Sequence, residues 1–346
     1  MILEADLERK RRNFRVFNER GGKFRVAIVN VCNLNCFFCH NEAMVNPRRP
    51  GEDPNGKVGP VHISLDELLG IINAFTSRGG GQVNITGGEP LAHREIVRFL
   101  EDIDKRSTRV VLNTNVILAD RLLNRPRIGN LDSIYASLHT TDGEIFRDQL
   151  GGRSISKVMD NIVALKTHGY DVQINYSLGD YNKEEFGSVL KFAVRHGIDL
   201  KAITLVRPNE DPDFYRGAWI DPQWISAQWI SAQIEATGAR VVGSEDSLGG
   251  QTTTYAIGGM TVKVKNIARG RLETDFCSGC TYKEKCGEGI YGLRVGIDGL
   301  WKPCLLRHER FRSVTQEESY ESQILTIIDE MIGSWENARF LTGVPA

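Results

Sequence analysis

The stretch FRVAIVNVCNLNCFFC, residues 24–39, joins two signals: a β-branched run up to Asn30 and three cysteines spaced Cys32-x3-Cys36-x2-Cys39. The first half predicts a buried strand, Phe24–Asn30. The second half predicts a metal-binding loop at the strand's carboxyl end. Three thiolates on one loop can hold three irons of a [4Fe–4S] cube and leave the fourth without a protein ligand. On spacing alone a zinc site stays open as the alternative, with His40 as fourth ligand. Adjacent residues such as Cys39 and His40 chelate one ion poorly.

Working outward, the pattern repeats. Strands are predicted at Gln82–Thr86, Arg109–Asn113, Ser133–Leu138, Val172–Leu178 and Lys201–Val206, each bounded by Gly, Asn, Asp or a helix signal. Ser64-x-x-Glu67 is a capping box ahead of a stripe of Leu65, Leu68, Leu69 and Ile72. Ile155, Val158, Met159 and Ile162 mark a second helix that stops at Gly169. Asn182 is the expected cap of a third, with Glu185 after it and Phe186, Val189, Leu190 and Ala193 as its stripe. Strands alternating with helices imply parallel pairing through right-handed crossovers. Six units are too few to close a barrel. The expected fold is therefore α/β, a partial (β/α)6 TIM-like barrel, with its chemistry at the carboxyl ends of the strands.

Beyond residue 240 the pattern changes. Gly249, Gly250, Gly258 and Gly259 cluster, and short strands Leu293–Ile297 and Leu300–Pro303 flank an Asp298-Gly299 turn. An amphipathic helix carrying Ile324, Ile327, Ile328, Met331 and Trp335 closes the chain. The expectation is a barrel domain over 1–240 and a small cysteine-bearing domain over 241–346. The linker Asn41–Pro60 is rich in Pro, Gly and Arg and reads either as a mobile loop over the site or as a tolerated insertion. A tandem QWISA copy, Gln223–Ala232, has a period that fits no repeat architecture.

The 346 residues carry a formal net charge of −1, with 41% hydrophobic and 25% charged residues. This is a globular balance, without the global field that nucleic acid calls for. The basic residues Lys10, Arg11, Arg12 and Arg15 read as a solvated helix face. The N-terminus mixes both signs of charge, unlike a secretory signal, and no apolar run reaches bilayer length. A soluble cytoplasmic protein with no nucleic-acid or membrane partner is expected. In a reducing compartment the seven cysteines favour metal sites over disulfides.

Thr86-Gly87-Gly88-Glu89-Pro90 follows the second strand. Its glycines allow close backbone approach to a ligand, and Glu89 offers a carboxylate to an amine. Alone this would be a plausible tight turn. Placed one βα unit after Cys-x3-Cys-x2-Cys, it resembles the radical S-adenosylmethionine (SAM) superfamily, over Phe24 to about Gln233. The resemblance implies that Cys32, Cys36 and Cys39 carry a [4Fe–4S] cluster whose open iron binds the amino and carboxylate groups of SAM. It further implies that Gly87, Gly88 and Glu89 hold the methionine amine, that Phe38 lies near adenine, and that Asn115 and Ser137 contact SAM. Capping of a turn or helix is the alternative role for each of these last two. The implied chemistry is one-electron reduction, by a donor such as flavodoxin or ferredoxin, and cleavage of SAM to methionine and a 5′-deoxyadenosyl radical. That radical takes a hydrogen atom from an unactivated carbon.

Cys277-x2-Cys280-x5-Cys286-x17-Cys304 uses the remaining cysteines. Four thiolates suit a second [4Fe–4S] cluster or zinc. Phe276-Cys277, Gly292-Leu-Arg-Val and Asp298-Gly-Leu-Trp-Lys-Pro-Cys304 resemble the auxiliary-cluster ("twitch") region of the GTP cyclases of molybdenum-cofactor biosynthesis, which favours the cluster. Those cyclases use three cysteines there; if Cys286 ligates as a fourth, the auxiliary cluster is closed to substrate and could serve in electron transfer. Arg25 and Arg294 match cyclase arginines. Gln173, His93 and Gly292 stand where the cyclases carry basic residues, and the C-terminal Thr342–Ala346 lacks their paired glycines. The expected substrate is a small polar metabolite, a nucleoside, sugar or aminocyclitol derivative. Arg25, Lys201 and Arg294 would meet its phosphate or carboxylate, with surface or core pairing as their alternative. The other functions weighed are peptide maturation, GTP cyclisation and a non-enzymatic zinc- or cluster-binding protein.

Overall fold

The computed structural model describes residues 2–39, 63–204, 230–247, 249–280, 289–304, 307, 310–336 and 338–341. Helix α1, Ile2–Glu19, leads into strand β1, Lys23–Ala27. Then follow α2 (Leu65–Ser77), β2 (Gln82–Thr86), α3 (Ile96–Glu101), β3 (Arg109–Thr114), α4 (Asp120–Leu123) and β4 (Ser133–Ser137). Next come α5 (Gly143–Leu150), α6 (Ile155–Thr167), β5 (Asp171–Leu178), α7 (Phe186–His196) and β6 (Asp199–Thr204). Strands β1 to β6 pair in chain order and all run parallel. The sheet is open, as a partial barrel requires.

Local chemistry explains most boundaries. The capping box forms as expected: Glu67 N–H donates to Ser64 Oγ (3.2 Å) and Ser64 N–H to Glu67 Oε2 (2.8 Å). Two expectations shift. β1 ends at Ala27 instead of Asn30 because Ile28–Val31 leave the regular ladder to bind the turn after β2. Asn182 caps no helix; its side chain donates to the carbonyls of His139 (2.6 Å) and Ser177 (3.0 Å) instead. α7 accordingly begins at Phe186, after a short turn at Lys183–Glu185.

The later strands are β7 (Arg240–Ser247), β8 (Gly249–Ile257), β9 (Met260–Glu273), β10 (Gly292–Gly296), β11 (Leu300–Lys302), β12 (Arg312–Ser313) and β13 (Arg339–Leu341). They extend both edges of the same sheet. β10 lies parallel to β1, and β9 lies parallel to β6. The described order is β12-β11-β10-β1-β2-β3-β4-β5-β6-β9-β8-β7, with β13 on β9. Gly258 and Gly259, at φ 54° and 82°, make the tight β8–β9 hairpin, a conformation glycine adopts without a Cβ clash.

Period-2 alternation sorts the two faces. Phe24, Val26, Val83, Ile85, Leu200 and Val262 are buried in the core beneath the helices. Phe24 packs on Phe75 of α2 (4.8 Å between centroids) and on Trp301 of β11 (6.2 Å). Each fully buried side chain of this kind contributes roughly 1.5–3 kcal/mol. The helix Tyr320–Gly333 closes over α1, where Asp329 accepts from Arg9 (2.9 Å) and Asn13 (2.7 Å). The other face of the sheet is polar; it lines the barrel interior. Among the described residues no helix is long and apolar enough to cross a membrane. The linker 41–60, most of the QWISA copy and the C-terminal 342–346 lie outside the described residues.

Candidate functional site

The cysteine loop is built on backbone contacts from two sides. Ile28 N–H donates to Thr86 O (2.9 Å), and the pairing continues past the strand ends. Gly88 N–H donates to Val29 O (2.6 Å) and Glu89 N–H to Val31 O (2.8 Å). On the far side, Asn35 N–H donates to Leu150 O (2.9 Å) and Phe37 N–H to Gln149 O (3.2 Å), at the end of α5. The glycines have a concrete reason. A Cβ on Gly88 would lie 2.2 Å from Val31 O and 3.0 Å from Cys32 N. One on Gly87, at φ 154°, would lie 2.6 Å from Val29 O. The close approach they allow is therefore to the cysteine loop itself.

Glu89 is 1% exposed. Its Oε1 accepts from Leu91 N–H (2.9 Å) and Thr114 Oγ1 (2.6 Å), and its Oε2 accepts from Asn115 N–H (2.7 Å). Burial pushes its pKa up to about 7 despite these three donors. So arranged, the carboxylate ties the GGEP turn to the end of β3 and leaves little surface for a ligand. Asn115 then reaches back: its Nδ2 donates to Asn33 Oδ1 (2.7 Å) and lies 3.9 Å from Cys32 Sγ. Val116, fully buried, sits at φ 54°, a strained conformation for a β-branched residue. Asn161 Nδ2 holds its carbonyl at 2.7 Å.

Phe38 sits in an aromatic cluster. Tyr181 stacks on it at 5.4 Å, and Phe37 and His139 meet it edge-on at 5.3 and 5.1 Å. His139 Nδ1 accepts Ser177 N–H at 3.0 Å, which leaves the proton of the neutral ring on Nε2. Burial pushes its pKa down to about 4, so the ring is neutral near pH 7. Ser137 lies at the end of β4, in register with Asn175, and its hydroxyl has no partner among the described residues. His139, Tyr181 and Asn33 carried no motif signal of their own; only the position of His139, just past a strand's carboxyl end, marked it.

The thiols suit a metal centre. Burial, then the charges of Glu89 and Cys39, push Cys32 up to about 11, partly offset by the Leu34 N–H 3.4 Å from its sulfur. Burial, then Cys39 and Cys32, hold Cys36 well above its ordinary value. Thiols so placed stay protonated unless a metal deprotonates them. Three soft sulfur donors on one loop are the donor set of an iron–sulfur cluster, although no three Cys, His, Asp or Glu side chains among the described residues stand close enough together to hold a metal ion as placed.

A family model described as the Radical SAM superfamily matches residues 26–193. The chain carries a radical SAM domain. The probable GTP 3′,8-cyclase of Sulfurisphaera tokodaii is 30% identical over 178 residues, 51% of this chain and 53% of that protein. This chain thus spans about half the length of that relative. The probable GTP 3′,8-cyclase of Archaeoglobus fulgidus is 28% identical over 316 residues, 89% of this chain and 93% of that protein. Among solved structures, Streptococcus suis SuiB bound to S-adenosylmethionine superposes with TM-score 0.58 at 14% identity, covering 88% of this chain and 64% of that one. SuiB bound to its precursor peptide SuiA gives TM-score 0.60 at 13% identity, covering 94% and 70%. These two share the fold. The chain is an enzyme of the radical SAM class, whose members use a [4Fe–4S] cluster and SAM.

The radical SAM domain holds the first three cysteines; the others lie outside the matched residues. Cys277 ends a short turn, Asp275–Cys277, capped by Thr274, and Cys280 N–H donates to Cys277 O (3.1 Å). Arg307 Nη1 donates to the carbonyls of Phe276 and Ser278, both at 3.1 Å, drawing the segment after Cys304 to this turn. Cys304 is 7% exposed. Cys286 falls outside the described residues.

Arg25, Lys201 and Arg294 share the inner face of the sheet. Arg25 pairs in register with Arg294, whose Nη1 donates to Gly292 O (2.9 Å). Lys201, on β6, is held well below its ordinary pKa by burial and by Lys23, Lys265, Lys263 and Arg25. The sequence reading missed Lys23, Lys263 and Lys265.

Proposed function

We propose that Cys32, Cys36 and Cys39 hold the SAM-cleaving [4Fe–4S] cluster, and that the substrate is a small polar biosynthetic metabolite bound inside the barrel. The observation that carries this reading is the pinning of the cysteine loop onto the GGEP turn, which sets three soft donors at the carboxyl ends of the strands. With SAM bound, the reduced cluster supplies a 5′-deoxyadenosyl radical that abstracts hydrogen from the substrate. The protein's own residues position and enclose. The backbone of Gly87–Glu89 faces the methionine amine, and the Glu89 carboxylate fixes that backbone and Asn115. Ser137 and the side chain of Asn115 supply polar contacts to SAM. Phe38, backed by Tyr181 and His139, offers an apolar wall to adenine. Arg25, Lys201 and Arg294 face the substrate.

Cys277, Cys280, Cys286 and Cys304 are proposed to hold a second [4Fe–4S] cluster in an auxiliary domain over 241–346, with a flavodoxin or ferredoxin as electron donor in the cytoplasm. The tight Cys277–Cys280 turn and the Arg307 tether support it. Anaerobic reconstitution should give about eight irons per chain; about four irons plus one zinc would remove the second cluster. GTP cyclisation is the second reading, favoured by the relative that aligns over 89% of this chain. Incubation with GTP, SAM and dithionite, followed by mass analysis, separates the two. Release of a cyclised GTP product would replace the leading reading.

A further inference from the structure

Two non-glycine residues among those described hold a positive φ, Arg106 at 48° and Val116 at 54°. Arg106 is an exposed turn residue. Val116 is β-branched, fully buried, and follows Asn115 just past the carboxyl end of β3. A β-branched residue in the left-handed region persists only where its surroundings over-determine it.

The surroundings do so here. Val116 N–H donates to Thr114 Oγ1 (3.0 Å), whose own hydrogen goes to Glu89 Oε1 (2.6 Å). Val116 O accepts from Ala119 N–H (3.1 Å) and from Asn161 Nδ2 (2.7 Å). Asn161 Nδ2 also lies 3.4 Å from Ile117 O. Asn161 is the polar member of the buried stripe of α6, among Val158, Ile162 and Leu165. An amide in such a stripe is costly unless it is hydrogen-bonded. This one bonds the Val116 bend.

The bend in turn fixes Asn115. Its N–H donates to Glu89 Oε2 (2.7 Å), and its Oδ1 accepts Ile117 N–H (3.1 Å). With the side-chain oxygen so occupied, the amide cannot flip, and Nδ2 is presented away from the turn. There it donates to Asn33 Oδ1 (2.7 Å) and lies 3.9 Å from Cys32 Sγ. The Ile117 amide reaches Asn115 Oδ1 because the chain reverses at Val116. An ordinary negative φ at Val116 would rotate that amide away and release the side chain.

We propose that Asn161 is a positioning residue for the cysteine loop: by holding Val116 left-handed, it fixes the Asn115 amide so that its N–H donors meet the Cys32–Asn33 segment and the SAM bound beside it. This rests on the radical SAM reading of that loop and assigns within it a role to two residues that no motif marks. Asn161 acts through the backbone of Val116. A glycine at 116 would keep the bend without that hold, because glycine populates positive φ about as readily as negative φ. Valine does not, so the bond from Asn161 decides the conformation.

Equilibrium dialysis of SAM against the reconstituted, unreduced protein, read beside thermal melting, tests this. Asn161→Ala should weaken SAM binding about ten-fold and lower the melting temperature. Val116→Gly added to Asn161→Ala should restore most of that affinity while lowering the melting temperature further, since it deletes a buried side chain. Affinity and stability then move in opposite directions, which a merely structural Asn161 would not produce. If Asn161→Ala does not fold, Asn161→Leu, which keeps the volume and lacks the donor, is read with the same second substitution. Unchanged SAM affinity in the Asn161 variant, or a double variant that binds no better than the single one, would overturn the proposal and leave the radical SAM reading intact. A wild type that binds no SAM would overturn that reading, and the proposal with it.

Discussion

The loop at Cys32–Cys39 is held by backbone: amides of Gly88, Glu89, Asn35 and Phe37 tie it to the GGEP turn and to the end of α5. The turn at Cys277–Cys280 is held largely by side chains, with Thr274 capping it and Arg307 gripping its carbonyls. The difference bears on function. A backbone-pinned loop fixes the path of the chain that carries the thiols, and it fails chiefly where an added Cβ forces the chains apart. A side-chain-held turn tolerates added bulk and can be loosened by one substitution.

The largest expected effect breaks the first loop. Gly88→Ala places a methyl 2.2 Å from Val31 O. It should cost about 3–5 kcal/mol in urea unfolding and abolish iron uptake at the first site. The matching change in the second loop is milder. Gly279 has φ +69° but nothing within 4 Å of a built Cβ. Gly279→Ala should therefore cost only about 1 kcal/mol, the smallest effect in this set.

Between these extremes lie two substitutions. Glu89→Gln sets an amide nitrogen against Asn115 N–H or another donor, because all three partners of Glu89 donate. It should cost about 1–3 kcal/mol. It should also remove a pH dependence. The folded-state pKa of Glu89, about 7, lies above its ordinary 4.5. The native protein therefore holds a proton that the unfolded chain releases. This contribution is fully present below pH 4.5 and is lost as pH rises to about 7. Its size is up to about 3 kcal/mol, and denaturation curves of wild type and variant across that window measure it. Arg307→Ala, which leaves two carbonyls of the second turn without their donor, should cost about 1–2 kcal/mol. It should lower iron at the second site and leave the first unchanged, as EPR of the two clusters can read.

Much of the first loop was legible because its determinants are local. Strand, Cys-x3-Cys-x2-Cys and GGEP each occupy one short run, and the six expected strands all appear. What the sequence concealed is non-local. The pairing of Phe24–Arg25 with Leu293–Arg294 joins residues at opposite ends of the chain. No pattern in either run announces that pairing. Residues beyond 240 alternate like a half-exposed hairpin, so Lys263 and Lys265 look solvated until β9 docks on β6 and turns them into the barrel. Glu89 was legible as a motif residue but not in its bonding, because Thr114 and Asn115 come to it from a different strand.

The most direct measurement is 5′-deoxyadenosine released from SAM by the reconstituted, dithionite-reduced protein, compared with Cys36→Ala. The cysteine-loop account predicts release by the wild type and none above background from the variant, with the variant still folded. Release from Cys36→Ala at the wild-type rate would contradict it.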